Sequence, residues 1–235
     1  MKNIKGLSLV LVGLLFMWAA VAPIDAQTQE PPTVQIPQPG VPEIFTLEGK
    51  FVRIAYNNEG YVILGYQAAN RSLGEEWMLL EIGITVRKGV PDFKLTRDAL
   101  SLSTPDGKTL PLPSTTGHRA GNTQAVQNRA KVQRDSINYF PPGTTNACRL
   151  GFFSDLEDPA AAWDQVELNS SRGCLGRLYF QVPGGIQYGQ HFLNVKFEKG
   201  YVRVPFRILT KDEEKYLSKN FKEISKQVED AFKKK

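Results

Sequence analysis

The chain has 235 residues, with 29 Lys and Arg against 24 Asp and Glu, giving a formal charge of +5 spread among many acids. A surplus this small and this mixed argues against a nucleic-acid binder, whose phosphate contacts need a concentrated basic face. The length suffices for one sizeable core with appendages.

In chain order, the opening MKNIKGLSLVLVGLLFMWAAVAPIDAQ sets Lys2 and Lys5 ahead of an apolar run over residues 7–22, followed by small residues around Ala26. That order is the order of a secretory signal peptide, with cleavage predicted after Ala26. An uncleaved N-terminal membrane anchor is the alternative, because the run approaches the ~18 apolar residues that span a bilayer. Removing residues 1–26 takes away Lys2, Lys5 and Asp25, so the charge surplus falls from +5 to +4. The expectation is an exported chain, periplasmic or extracellular, without membrane contact after cleavage. Residues 27–45 carry Pro31, Pro32, Pro37, Pro39 and Pro42. Proline fixes φ and lacks an amide proton, so this stretch reads as an extended spacer.

From there the period changes. FVRIAYN from Phe51, GYVILGYQAAN from Gly60 and WMLLEIGITVRK from Trp77 are β-branched and aromatic runs separated by turn chemistry, which predicts a meander of three strands. LTRDALSLS, TLPLP, CRLGFF, LGRLYFQVP, QHFLNVKFE and VRVPFRIL follow. About nine short strands with turns between them predict an all-β, antiparallel sandwich over residues 46–210. GNTQAVQNRAKVQRDSIN, residues 121–138, has no strand period and predicts a helical insertion with Ala125, Val126, Ala130 and Val132 inward. Asn70-Arg71-Ser72 and Asn169-Ser170-Ser171 match the glycosylation sequon.

Residues 211–235 predict an amphipathic helix. Thr210 and Glu213 fit a capping box, Lys233, Lys234 and Lys235 oppose the helix dipole, and Leu217, Phe221, Ile224, Val228 and Phe232 form an apolar stripe. The stripe needs a partner, which is the chain's own sandwich, a second copy or another protein, or a membrane surface. A protein partner or self-association through this helix is one expectation.

Few side chains point to chemistry. His118 and His191 have no Cys, Asp or Glu at metal-ligand spacing and read as surface or capping residues, so neither a metal nor a cofactor is predicted. The acidic cluster Asp155, Glu157, Asp158, Asp164 and Glu167 is a candidate ligand loop that lacks the spacing of a known calcium loop. Cys148 and Cys174 predict a structural disulfide closing that loop, since an oxidising compartment pairs two thiols and no nearby base activates either.

The strands before Lys88, the turn Ser-Thr-Pro-Asp-Gly-Lys-Thr-Leu and the late strand with Gly176, Leu178, Phe180, Val182 and Pro183 resemble the small immunoglobulin-like accessory domains of exported bacterial proteins. The resemblance covers residues 49–210 and departs from the pattern in its helical insertion and cysteine pair. It implies a non-enzymatic interaction or assembly module. The alternatives are a carbohydrate- or envelope-polymer-binding module using Tyr56, Tyr61, Tyr66 or Trp163, and a hydrolase whose dispersed site joins His118 or His191 to a Ser and an acid.

Overall fold

The computed structural model describes residues 44–154 and 161–233. The predicted signal peptide, most of the spacer, and Asp155, Glu157 and Asp158 lie outside the described residues.

The chain is mostly β, with antiparallel sheets and a C-terminal helix. Strands β1 (Ile44–Gly49), β2 (Val52–Tyr56), β3 (Gly60–Gly65) and β4 (Trp77–Val86) form the expected meander, with β1 added at its front. The run written as GYVILGYQAAN ends as a strand at Gly65, and its tail folds into the short helix α1 (Gln67–Asn70). Strands β5 (Phe93–Thr96), β6 (Leu100–Ser103) and β7 (Thr109–Pro111) follow. After helices α2 (Thr115–Ala120) and α3 (Gln124–Val132) come β8 (Asn146–Leu150), β9 (Gln165–Leu168), β10 (Arg172–Gln181), β11 (Gly189–Lys196), β12 (Tyr201–Ile208) and helix α4 (Lys211–Lys233).

Three sheets result, in the orders β1-β2-β3-β4-β10-β8, β12-β11-β6-β7 and β5-β9. Val62, Leu64, Ile82 and Ile84 of the first share one buried cluster with Leu102, Leu193, Val195, Val204 and Phe206 of the second. The alternation of side chains sends Ile63 to the other face, where it joins Val52 and Ile54 beneath Ile137, Tyr139 and Phe140. All ten residues of β4 are buried because both its faces are covered.

Several features depart from the sequence reading. Among the described residues twelve strands form where about nine were expected, and β8 runs parallel to β10. The excursion between these two strands is long enough to return the chain in the same direction, which a tight hairpin cannot do. Part of the predicted acidic loop is strand β9, paired with β5. In α3 Val126 and Ala130 face inward as expected, but Ala125 is exposed and Val132 is 86% exposed, because the helix ends at Val132.

Helix α4 begins with the predicted box: Thr210 N donates to Glu213 Oε2 at 2.8 Å and Glu213 N to Thr210 Oγ1 at 3.2 Å. Its stripe lies on β1. Val228 is buried against Phe45 and Leu47, Phe221, Ile224 and Phe232 pack on the same cluster, and Leu217 joins the main core. Ser225 Oγ donates to Leu47 O, while Glu214 bonds both Lys50 and Arg71 and Glu213 bonds Arg207. Lys234 and Lys235 lie outside the described residues.

Candidate functional site

The disulfide joins Cys148 to Cys174, directly opposite each other in the parallel β8–β10 pair with Cα atoms 4.1 Å apart. Cys174 is fully buried. Gly176, two residues on, is required by the close approach of these strands, since a Cβ there would lie 2.7 Å from Leu150 Cβ.

Beside this staple the outer face of the six-stranded sheet carries charge. Glu81 sits in β4 between Leu80 and Ile82, with Gly65 of β3 on one side and Arg177 of β10 on the other. Arg177 Nε is 3.9 Å and Arg134 Nε 3.5 Å from Glu81 Oε1. The side chains of Glu81 and Arg177 are only 7% and 11% exposed, so this pair is largely removed from water. Residues 133–140 cross over it. Asp135 N donates to Glu81 Oε2 at 2.8 Å, and Asp135 Oδ2 accepts from Gln67 N at 2.7 Å. Gly65 makes room for this crossing, because a Cβ there would stand 2.7 Å from Asp135 Cβ.

Burial raises the pKa of Glu81, against the pull of the Asp135 amide and the two arginines. Burial also pushes Asp135 up to about 7; the Gln67 amide opposes this and the Glu81 charge adds to it. Glu81 has two guanidinium partners, so Asp135 is the member that takes up a proton near neutrality. Close by, Arg53 donates to Gly49 O, Val52 O and Tyr66 Oη.

Glu81, Arg134, Asp135 and Arg177 line a cleft of about 240 Å³. Arg134, Asp135 and Ile137 form one side, Leu175, Arg177 and Tyr179 of β10 the floor, and Arg149, Leu150 and Phe153 the far side. Arg149 lies over the Trp163 ring and its Nη2 donates to Phe153 O at 3.4 Å. Chemically the cleft is lined by engaged guanidinium groups, one carboxyl that exchanges a proton near neutral pH, and apolar side chains between them.

Of the acidic cluster, Asp164 and Glu167 are described. Asp164 bonds Arg97 at 3.3 Å yet is 93% exposed, and Glu167 points outward from β9, so these two do not converge. Among the described residues no three His, Cys, Asp or Glu side chains are grouped to hold a metal. The histidines are buried rather than superficial. His118 lies among the rings of Trp77, Phe153 and Tyr179, and His191 stacks on Phe206. Tyr66 is buried, whereas Tyr56 and Tyr61 stack across their strands at 5.3 Å. The sequon at Asn70 is occupied by the fold: Asn70 is buried and its Oδ1 accepts from Leu209 N at 2.6 Å.

Glu81, Arg177 and Asp135 escaped the sequence reading. The available signal was a single charge inside each of two otherwise apolar strand runs, WMLLEIGITV and LGRLYF. No protein-family model, no curated protein and no solved structure matches the chain.

Proposed function

We propose that the chain is a non-enzymatic, exported binding module, an immunoglobulin-like β-sandwich that presents the cleft beside its disulfide to a protein partner. The observation that carries this reading is the cleft itself, in which Leu175, 38% exposed on β10, is flanked by Arg134, Arg149 and Arg177. Arginine fixes polar groups directionally while the floor anchors a side chain, the mixture that protein-binding patches use. The two sheets sharing one core support the sandwich, and the disulfide fits an oxidising compartment together with the signal-like leader. The stripe of α4 is engaged on β1, which turns the partner surface away from the helix and toward the cleft. Glu81 and Asp135 each accept a backbone amide, a holding role that suits binding better than hydrolysis.

Cross-linking in the exporting cell, followed by denaturing purification, tests the reading. Wild type forms a discrete protein adduct that Leu175→Glu loses and Tyr56→Ala keeps. The second reading, an envelope-polymer binder, is favoured by the Tyr56–Tyr61 stack. Co-sedimentation with envelope polymer that Tyr56→Ala abolishes and Leu175→Glu leaves intact would replace the first reading with the second.

A further inference from the structure

We propose that residues 133–140 form a proton-latched strap along the cleft, seated while Asp135 carries a proton and lifted when Asp135 and Glu81 are both ionised. This rests on the reading of the cleft as a binding site and adds its regulation, because Arg134, Asp135 and Ile137 of the strap form one wall.

The geometry has a polar and an apolar anchor. At the polar end Glu81 holds the amide of Asp135 and the Asp135 carboxyl holds the amide of Gln67, so the strap cannot rise without breaking both bonds. At the other end Tyr61 Oη donates to Tyr139 O at 3.0 Å, and Phe140 covers Gly173, where a Cβ would come within 2.8 Å of its ring. Between them the segment is neither helix nor strand, and its residues alternate between exposed and half-buried. Among the described residues, the backbone of 135–140 makes no hydrogen bond to other backbone. A segment held by side chains alone opens more easily than the sheet beneath it.

The charged and titratable groups facing Asp135 are Arg53 of β2, Tyr66 after β3, Glu81 of β4, Arg134 on the strap and Arg177 of β10. Arg134 and Arg177 both attend Glu81, and Arg53 favours the ionised form of Asp135. Burial and the neighbouring Glu81 charge prevail, holding Asp135 at about 7. A carboxyl raised in this way favours the seated strap fully below its ordinary pKa, 3.8, and loses that advantage as pH rises through about 7. When protonated it still offers the carbonyl oxygen that accepts from Gln67.

Amide hydrogen exchange on the full mature chain, corrected for intrinsic rates and without any ligand, tests the proposal. Between pH 5.5 and 8.5 the protection of the Gln67 and Asp135 amides falls about 30-fold, the ratio set by a carboxyl titrating near 7 when seated and near 4 when released. Asp135→Asn, which cannot ionise, abolishes the fall, and Glu81→Gln moves its midpoint lower. A carboxyl-carbon titration of wild type needs no substitution and places Asp135 near 7 in step with the amides. Equal protection at both pH values, the same loss in Asp135→Asn, a midpoint near 4, or parallel loss at Leu193 in β11 overturns the latch. Because no ligand enters, failure of the binding reading leaves these readouts unchanged.

Discussion

His191 lies inside β11 with its ring stacked on Phe206 and its Nδ1 3.0 Å from Gly189 O. Its Nε2 is buried and makes no hydrogen bond with a described residue. Burial lowers its pKa below the ordinary 6.5, so the folded chain keeps it neutral while the unfolded chain takes up a proton. The stability it permits is therefore complete above about 6.5 and declines as pH falls toward the folded value. His191→Leu trades one hydrogen bond, worth about 1 kcal/mol, for removal of an unpaired buried nitrogen. By urea denaturation the variant should lie within ~1 kcal/mol of wild type at pH 8 and gain on it at pH 5. Cys148 and Cys174 are joined across the β8–β10 pair. Their bridge spans a sequence separation of 26 residues, so Cys148→Ser with Cys174→Ser should cost about 3.5 kcal/mol, measured without reductant. The bridge was legible because the chain has only two thiols. The histidines were not, because two isolated imidazoles in a sequence do not reveal which rings will surround them.

Among the elements, α4 shows how an amphipathic stripe finds its partner. Phe45 and Leu47 of β1 are buried with Val228, and β1 begins within the stretch that the proline spacing marked as spacer. The helix and its stripe were therefore readable from period alone, whereas the strand that receives them was hidden behind five prolines. Val228→Asp places a carboxylate between Phe45 and Leu47 and should cost about 2 kcal/mol or more, read as a lowered thermal midpoint. At the start of the helix Glu214 is held down to about 2, first by Arg71 and then by Lys50, against the opposing effect of burial. A depressed carboxyl contributes stability that is present above its ordinary value, 4.5, and lost as pH falls through about 2. Glu214→Gln should flatten the acid limb of the stability profile across that window and leave the limb above pH 5 with an unchanged slope.

For the molecule as a whole, alternation and turn chemistry disclosed most of the strands, since both are local. The order of the sheets was not local. The parallel β8–β10 pair, the β5–β9 ladder and the crossing of residues 133–140 over Gly65 depend on which strands become neighbours. The cleft belongs to this second class. Glu81, Arg177 and Asp135 are separated by up to 96 positions and meet only through the registers of β3, β4 and β10. Acid and base pull in opposite directions across the molecule. His191 and Glu214 weaken it as pH falls, Asp135 as pH rises toward 7, so each variant isolates one limb of the profile.

The proposed docking of a partner in the cleft rather than on the terminal helix is tested by a photo-crosslinking amino acid placed at one position at a time in the cell that makes the protein. Leu175 opens on the cleft and Tyr216 on the outer side of α4, and they are similarly exposed at 38% and 43%. Irradiation should yield a discrete protein adduct from position 175 and none from position 216. An adduct from position 216 with none from position 175 would put the partner on the helix and rule out the cleft.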